Sequence, residues 1–322
     1  MPFKIIRNDI TKVRADVIVN TANPLPVIGT GIDSAVYKAA GEMGLILERM
    51  KIGVIARGQA AATPAFNLLA KYIIHTVGPK WIDGNHGERE ILHSCYENSL
   101  LLALKLKAES IAFPLIATGN YGFPKDEALS IALNEIGRFL LKYDMEVSLV
   151  VFDIESFELS AQRVGQIDEY IKEHDVRRIQ KAEYGDTRRV YYRQSYKIEN
   201  KTLDDMLSSS DKTFQQRLFE LIDASGMDEV TVYKKANIDR KLFSRIRCNK
   251  DYRPNKKTAV ALAIALKLDM PTMLDLLSRA EIAFSPCSKF DIIIRYFVEK
   301  RMYDILEINA ALFKYGQPML GA

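Results

Sequence analysis

The chain has 322 residues, of which 48% are hydrophobic and 27% are charged, a composition typical of a soluble globular protein of about two domains. No apolar run approaches the roughly 20 residues that cross a bilayer, and charged residues interrupt the N-terminal apolar residues, so we expect no membrane contact, no secretory signal and a bacterial-type cytoplasmic location. Residues 1–175 carry 18 basic and 22 acidic residues, whereas residues 176–322 carry 27 and 19, so only the second part has the basic excess that nucleic-acid binding favours.

Residues 1–175 alternate short β-branched runs with longer amphipathic stretches. Strands are predicted at residues 3–7, 17–20, 72–77, 111–115 and 147–152. Helices are predicted at residues 33–40, 88–106, 125–143 and 155–174. Because several strand runs are apolar at successive positions, as in strands covered on both faces, the pattern predicts layers of helices around a central sheet.

The remainder of the chain has a different pattern. A domain boundary is predicted after residue 175, and the basic, tyrosine-rich residues 176–211 predict a linker or an exposed hairpin. From residue 212 the pattern is helical, with helices predicted at 214–224, 230–236, 240–248, 256–266, 271–280, 289–299 and 304–315. The apolar residues from 285 onward are too numerous for one exposed helix, so we expect them to pack on the helical core, with any surplus forming a homodimer interface.

Two glycine-containing loops follow predicted strands in the first part. One contains Gly29 and Gly31 and leads into a helix, whose N-terminus offers free backbone N–H groups and the positive end of a dipole. The other spans residues 117–122 and also precedes a helix. Together the loops fit a diphosphate-binding site, although each alone also fits a tight turn. No cysteine or histidine has metal-ligand spacing, so no metal site is predicted.

Six motifs, in this order, closely resemble those of macrodomains, the ADP-ribose-binding α/β/α modules: NDIT at 8–11, VNTAN at 19–23, GTGID at 29–33, YIIHTVGPKW at 72–81, ATGNYGFP at 117–124 and VVFD at 150–153. The resemblance covers residues 1–175. It implies a three-layer α/β/α domain with a mixed central sheet, which binds ADP-ribose or an ADP-ribosylated macromolecule and needs no cofactor or metal.

The resemblance also implies a role for each residue of the binding site. Asp9 and Ile10 would contact the edge of the adenine, and Phe152 would lie against its face. From the residues alone, Asp9 also fits a turn aspartate and Phe152 an ordinary core residue. Asn20 and Asn23 would bind the distal ribose. The diphosphate would lie between two loops, and Tyr121 would close over the distal ribose; the loop residues are Gly29, Thr30, Gly31 and Ile32, and Thr118, Gly119, Asn120, Tyr121 and Gly122.

Asp33 distinguishes an enzyme from a binding protein. In hydrolytic macrodomains an aspartate ten residues after the second asparagine is implicated in cleaving the bond at the ribose C1″, and Asp33 follows Asn23 by that spacing. The resemblance therefore implies Asp33 and Asn23 as catalytic residues. Two observations keep the alternative open: Asp33 also fits the N-cap of the following helix, and the prolines and bulky side chains of residues 24–30 depart from the hydrolase pattern.

Residues 230–248 predict two short helices around a tight turn, with Asn237 where glycine is usual. Residues 212–282 resemble the helix-turn-helix domains of phage repressors, which bind DNA as dimers. The resemblance implies that residues 240–248 form the recognition helix. It also implies these contacts with nucleic acid: Arg240, Lys241, Ser244, Arg245, Arg247, Arg253 and Lys256. The alternative is a solvated basic face of a bundle that contacts proteins.

Two functions fit these residues and motifs, and both stay open. The first is hydrolysis of ADP-ribosyl linkages or of O-acetyl-ADP-ribose by a macrodomain coupled to a nucleic-acid-binding helical module. The second is a non-catalytic regulator that senses ADP-ribose and binds DNA.

Overall fold

A computed structural model describes residues 2–152, 157, 159–183 and 212–321. Its sheet is mixed, with the strand order β1-β6-β5-β2-β4-β3. The strands are β1 Phe3–Arg7, β2 Val17–Thr21, β3 Ala60–Pro64, β4 Tyr72–Thr76, β5 Ser110–Pro114 and β6 Glu146–Val151. Neighbouring strands are parallel except β3, which is antiparallel to β4. The predicted strands are confirmed, whereas β3 was not predicted.

Helices cover both faces of the sheet, as expected for a three-layer fold. The helices are α1 Ile32–Ala40, α2 Glu42–Ile52, α3 Glu88–Lys105, α4 Lys125–Lys142 and α5 Ala161–Glu183. Ile18 of β2 packs into a core with α1 and α2, while its neighbours Val17 and Val19 pack into the core that contains α3 and α4. This alternation along one strand produces the two apolar cores of the sandwich.

The C-terminal region is all-helical in the described residues 212–321, which confirms the predicted class. Its helices are α6 Phe214–Ser225, α7 Glu229–Lys235, α8 Arg240–Cys248, α9 Lys256–Ala265, α10 Met270–Ser278, α11 Lys289–Glu299 and α12 Ile305–Lys314. A side-chain oxygen caps the N-terminus of each one; the capping residues are Thr213, Asp228, Asp239, Asn255, Asp269, Ser288 and Asp304. These caps explain why the helix starts were readable from the sequence. Within the described ranges, no helix has both the length and the hydropathy needed to cross a bilayer.

The predicted boundary at residue 175 falls inside a continuous helix. Helix α5 runs to Glu183 and packs against α11, so the first eight residues of the predicted linker are helical. The rest of that linker lies outside the described residues. The apolar tail from 285 packs on α5, on α4 and on β1 as well as on the helical core. Most of its apolar side chains are buried within the chain, and the homodimer interface stays a prediction.

The turn between α7 and α8 is attached to the edge of the sheet. Asn237 has the predicted positive φ, 53°, and is buried. The backbone N–H of Phe3 donates to its Oδ1 at 2.9 Å, and its Nδ2 donates to the Phe3 carbonyl at 3.0 Å and to the Leu320 carbonyl at 3.4 Å. The Leu320 N–H in turn donates to Oδ1 of Asn309 at 2.6 Å. The Asn237 amide therefore pairs with β1 as a neighbouring strand would.

Replacing Asn237 should destabilise the whole chain. Asn237→Ala leaves the buried Phe3 N–H and carbonyl without partners, so we expect the free energy of unfolding to fall by about 2–3 kcal/mol. Asn237→Gly removes the same bonds but tolerates the positive φ, so its loss should be smaller by about 1 kcal/mol. Denaturant unfolding of both variants measures these losses. Variants as stable as the unmodified chain would show that the Asn237 contacts contribute little.

Candidate functional site

A cleft of about 290 Å³ lies at the carboxyl ends of β2, β5 and β6. The loop after β2, the loop after β5 and the last residues of β6 form its walls. Parallel α/β sheets commonly bind ligands at this edge, where the backbone leaves adjacent strands in different directions. Because β5 lies between β6 and β2, the cleft runs across the sheet from the β6 end to the β2 end.

Asp33 is held rigidly at the β2 end of the cleft. Its side chain is 3% exposed, Oδ1 accepts from Nδ2 of Asn20 at 2.6 Å, and Oδ2 accepts from the backbone N–H of Gly29 at 2.5 Å. Helix α1 begins at Ile32 after Gly31, so Asp33 lies in the first turn and the prediction that it is the N-cap was wrong. Its carboxylate instead fixes the preceding glycine loop.

The ionisation of Asp33 reflects opposing effects. Burial raises the pKa of its carboxyl group, while the hydrogen bonds from Asn20 and Gly29 and the positive charge of Arg49 act in the opposite direction. The net result is a pKa above the ordinary aspartate value. Such a carboxylate is a stronger proton acceptor than a solvated one.

Asn20 lies behind Asp33 in the described structure, away from the cleft. It is fully buried and donates to the Asp33 carboxylate, and its predicted contact with a ribose stays a prediction. Its Nδ2 is also 3.2 Å from Nδ1 of His75, whose Nε2 is 3.0 Å from Oγ1 of Thr63. With Nδ1 accepting, His75 carries its proton on Nε2 and donates to Thr63. Oδ1 of Asn20 has no partner among the described residues.

His75 should make the free energy of unfolding depend on pH. Burial and the charge of Arg49 lower the pKa of His75 to about 3, whereas an unfolded histidine has its ordinary pKa of 6.5. Between these values the unfolded state binds the extra proton, so the unfolding free energy falls as pH drops from 6.5 towards 3, by up to about 1.4 kcal/mol per pH unit. His75→Gln should lack this contribution. Denaturant unfolding from pH 7 to pH 4 checks it; equal pH slopes for both proteins would contradict it.

Arg49 binds the backbone of the loop that follows β2. This arginine of α2 is only 1% exposed, and its guanidinium donates to the carbonyls of Gly53 at 2.8 Å, Asn23 at 3.2 Å and Pro24 at 3.4 Å. The loop is therefore attached to α2 through its backbone. Sequence reasoning missed Arg49 because neither α2 nor this contact across 26 residues leaves a local signal.

The two loops touch each other across the cleft. Nδ2 of Asn120 donates to Oγ1 of Thr30, and the Tyr121 hydroxyl donates to Oδ1 of Asn23 at 3.4 Å. The guanidinium of Arg57 stacks on the Tyr121 ring, 5.3 Å from its centroid. These contacts bring residues of both predicted loops to the β2 end of the cleft.

The β6 end of the cleft presents an exposed aromatic ring. Phe152 follows β6, lines the cleft and is 74% exposed, so the core alternative does not apply. Asp9 caps a short 3-10 turn over Ile10–Lys12, and its Oδ1 accepts from the N–H and the hydroxyl of Thr11 at 2.9 and 2.7 Å. These bonds, of which the one from the Thr11 hydroxyl is the strongest influence, lower the pKa of Asp9.

Most of the predicted binding residues line the cleft together. Its walls include Asn23, Gly29, Thr30, Gly31, Ile32, Asp33, Thr118, Gly119, Asn120, Tyr121 and Phe152. Asp9, Ile10, Asn20 and Gly122 lie outside its lining. Lys125 also lines the cleft and was not predicted, although a basic residue at the start of the helix after the second loop is a visible signal.

The comparisons with known proteins agree with this arrangement. Residues 19–132 match the Macro domain family model. The chain is 42% identical over 169 residues to the O-acetyl-ADP-ribose deacetylase of Salmonella newport, a match that covers 51% of this chain and 94% of that protein. A Macro domain-containing protein of Methanosarcina mazei is 44% identical over 156 residues, 48% of this chain and 83% of the relative. The N-terminal half of the chain belongs to the macrodomain family.

Solved macrodomain structures are also similar to this chain. The Oceanobacillus iheyensis macrodomain with ADP is 35% identical, covers 52% of this chain and 92% of its own, and gives a TM-score of 0.47. A Trypanosoma brucei macrodomain in complex with ADP-ribose is 32% identical to this chain. The match covers 48% of this chain and 66% of that structure, with a TM-score of 0.45. The family model and the relatives named above cover the macrodomain, and the C-terminal helical region has no family assignment.

One side-chain group of the macrodomain has the composition of a metal site. Among the described residues, Asp83, His86 and Glu88 bring their potential ligand atoms within 4.8 Å of one another. The Glu88 carboxylate, however, accepts backbone N–H groups of Ile82, Gly84 and His86. The Glu88 carboxylate therefore stabilises the loop that precedes α3 through hydrogen bonds, and we assign no metal to this group.

The predicted nucleic-acid residues lie in and after α8. Five of them are exposed on α8 itself: Arg240, Lys241, Ser244, Arg245 and Arg247. Arg253 is exposed and pairs with Glu281 at 2.8 Å. Lys256 instead forms an ion pair with the buried Asp291 at 2.6 Å, which ties it into the fold and leaves it poorly placed for a phosphate.

A larger groove, of about 1120 Å³, separates the macrodomain from the helical region at the amino ends of the strands. Arg240 and Lys241 line one wall, and Asp144 and Glu146 of the macrodomain line the other. Lys234 pairs with Asp144 at 3.2 Å. The groove has neither glycine loops nor a consistent sign of charge, so it does not resemble a diphosphate site.

Proposed function

We propose that the macrodomain binds ADP-ribose in the cleft at the ends of β2, β5 and β6 and hydrolyses ADP-ribosyl linkages, O-acetyl-ADP-ribose included. The observation that carries the proposal is the buried carboxylate of Asp33, held by two donors beside Asn23 at the β2 end of the cleft. The relatives named as O-acetyl-ADP-ribose deacetylases support it, and the Macro domain family model spans residues 19–132, which contain Asp33 and both glycine loops.

Binding would depend on groups spread along the cleft. The exposed Phe152 ring offers a flat surface to adenine at the β6 end. The glycine loops, the N-terminus of α1 and the ammonium group of Lys125 favour a diphosphate in the middle. At the β2 end, the side chains of Asn23 and Tyr121 can hydrogen-bond ribose hydroxyl groups.

Hydrolysis would begin at Asp33. A water between this carboxylate and the bound ribose attacks the carbon of the scissile bond, which is C1″ in an ADP-ribosylated side chain and the acetyl carbonyl carbon in O-acetyl-ADP-ribose. Asp33 accepts the proton of that water as the new C–O bond forms. The bond to the leaving group breaks, and the proton held by Asp33 passes to the leaving group or to solvent, which restores the carboxylate.

Groups that do not touch the reacting atoms would support this step. Asn20 and the Gly29 N–H fix the orientation of the Asp33 carboxylate, so its lone pairs do not need to reorganise during the reaction. Arg49 holds the backbone of Asn23 in place through its carbonyl. These are positioning roles, because none of the three side-chain or backbone groups would touch the reacting atoms.

Calorimetric titration with ADP-ribose and AMP tests the binding step. ADP-ribose should bind more tightly than AMP, because AMP lacks the second phosphate and the distal ribose. Phe152→Ala should weaken ADP-ribose binding by roughly tenfold, since stacking of one base contributes about 1–3 kcal/mol. Absence of heat with ADP-ribose would refute the proposal. Binding without release of product from O-acetyl-ADP-ribose or an ADP-ribosylated protein, even at high protein concentration, would favour a sensor.

The second candidate is a regulator that senses ADP-ribose and binds nucleic acid through α8. The exposed basic side chains of that helix favour it. A mobility-shift assay at two salt concentrations tests it, because contacts with phosphates make affinity fall steeply with salt. The variant Arg240→Ala/Arg245→Ala should remove the shift. Absence of any shift with duplex or single-stranded DNA would exclude this candidate.

A further inference from the structure

Arg57 contacts the cleft from outside, through the ring of Tyr121. It lies between α2 and β3, and its guanidinium is 5.3 Å from the centroid of the Tyr121 ring, a distance at which a cation is attracted to an aromatic face. Its Nη1 also donates to the carbonyl of Gly78 at 2.5 Å. Tyr121 lines the cleft and Arg57 does not, so the arginine holds the ring from the side away from a ligand.

The backbone on both sides of this guanidinium is fixed. The residue that follows the arginine, Gly58, donates its N–H to the Val77 carbonyl at 2.8 Å and accepts at its own carbonyl from Nδ2 of Asn98 at 2.8 Å. These bonds join the segment before β3 to the end of β4 and to α3. Gly78 packs against the loop after β5, because an added Cβ there would lie 3.0 Å from the Cβ of Ala117. The guanidinium is therefore held between anchored parts of the chain.

The backbone of the loop after β5 is held by bonds that do not involve Arg57. The N–H of Trp81 donates to the Tyr121 carbonyl at 2.8 Å, and the N–H of Phe123 donates to the Ala117 carbonyl at 3.0 Å. These bonds fix the path of the loop. The contact with Arg57 therefore restrains the side chain of Tyr121 rather than its backbone.

The Tyr121 ring in turn orients the amide of Asn23. The Tyr121 hydroxyl donates to Oδ1 of Asn23 at 3.4 Å, and Nδ2 of Asn23 donates to the Val27 carbonyl at 3.2 Å. With Oδ1 accepting from the tyrosine, the second hydrogen of Nδ2 can donate to a hydroxyl group of a ligand. A displaced ring would release Oδ1, and the amide could then rotate.

We propose that Arg57 is a positioning residue for the distal ribose: it holds the Tyr121 ring, and through its hydroxyl the Asn23 amide, in the orientation that receives this sugar. The inference rests on the proposed function and adds to it a residue outside the cleft lining. A side chain that is already held loses less freedom when a ligand binds, so Arg57 contributes to affinity without touching the ligand. Because Tyr121 and Asn23 stand at the β2 end, the contribution is confined to the part of the ligand beyond the diphosphate.

Two ligands that share the adenosine diphosphate test this role, because ADP-ribose carries the distal ribose and ADP does not. Arg57→Met removes the guanidinium and keeps an unbranched side chain. In calorimetric titrations of this variant, we expect ADP-ribose to bind about threefold to tenfold more weakly, as loss of one cation–π contact predicts, and ADP to bind within about twofold of its original affinity. An arginine that merely attracted the anionic diphosphate would instead weaken both ligands alike.

A second variant tests whether Arg57 acts through the Tyr121 ring. In a Tyr121→Leu background, Arg57→Met should cause no further loss of ADP-ribose affinity, whereas residues that act independently would give additive losses. Arg89→Met is the matched control. The Arg89 guanidinium is 5.4 Å from the centroid of Trp81 and donates to the Gly84 carbonyl at 2.7 Å, but neither Arg89 nor Trp81 lines the cleft. This control should leave the affinities for both ligands unchanged.

Four results would overturn the inference. They are an unchanged affinity of Arg57→Met for ADP-ribose, an equal loss for ADP, a full further loss in the Tyr121→Leu background, and the same loss in Arg89→Met. Failure of the proposed function would look different. The unmodified chain would then bind neither ADP-ribose nor ADP, or would bind both and release no product from an ADP-ribosylated substrate.

Discussion

Asp33→Asn should lower the rate of ADP-ribose release by at least about 100-fold, the range that general-base catalysis supplies. The asparagine fits the same volume and can accept one of the hydrogen bonds from Asn20 and Gly29, but it cannot take a proton from water. Affinity for ADP-ribose should change much less than the rate, because the asparagine oxygen keeps one of the two hydrogen bonds that hold Asp33 against the glycine loop. Release assays with O-acetyl-ADP-ribose and an ADP-ribosylated protein, together with calorimetry, measure both quantities.

The pH dependence of turnover provides a second check on Asp33. Only the ionised carboxylate can accept a proton, so turnover should fall as pH drops through its pKa. Since burial raises that pKa, the fall should begin at a higher pH than an exposed aspartate would give. The residual activity of Asp33→Asn should lack this acid limb. A variant with unchanged turnover, or with the same acid limb, would assign the proton transfer to another group.

Gly29→Ala should impair both turnover and binding. A Cβ at position 29 would lie 2.8 Å from Nδ2 of Asn23, which must move, and 3.0 Å from Oδ2 of Asp33, which must give by a few tenths of an ångström. The Asp33 carboxylate is buried and fixed by two hydrogen bonds, so it cannot shift without disturbing the glycine loop. A misplacement of about 1 Å at a reacting centre costs about 100-fold in rate, so for this smaller shift we expect a loss in turnover of about tenfold and a weaker affinity for ADP-ribose.

A matched variant separates this collision from the general effect of an added methyl group. Gly165 lies in α5, has no atom within 4 Å of its would-be Cβ and does not have a positive φ. Gly165→Ala should leave turnover and ADP-ribose affinity unchanged. Comparable losses in both variants, or no loss in Gly29→Ala, would mean that the Asn23 and Asp33 positions are not critical.

Strands and helices could be predicted from the sequence where their apolar residues and capping residues follow the pattern typical of that element. Strands with successive apolar residues and helices with clear caps were predicted within a few residues of their observed ends. Strand β3 was missed because its sequence, AAATP, has hardly any of the β-branched residues that signal a strand. Helix α2 was missed because Met43, Leu47 and Met50 add apolar residues to its exposed face and obscure the helical periodicity.

The sequence predicted those parts of the cleft that come from short continuous segments of the chain. Glycine loops after strands, together with the spacing of Asn23 and Asp33, identified most of its walls. The supporting groups were not predictable, because Asn20 meets His75 across 55 residues and Arg49 meets Asn23 across 26. Such contacts depend on which strands become neighbours. The change to a basic composition after residue 175 likewise did not reveal that α5 continues to Glu183.

The pairing of Asn237 with β1 has a consequence for dividing the chain. A fragment that ends near residue 175 would lose the amide that completes the outer edge of the sheet, and the apolar contacts of α12 with β1 and α4 would be stripped away. The freed edge of β1 would then be open to strands of other molecules, the situation that promotes aggregation. Cutting the chain between the macrodomain and the helical region would therefore expose surfaces of β1 and α4 that the helical region covers in the whole chain.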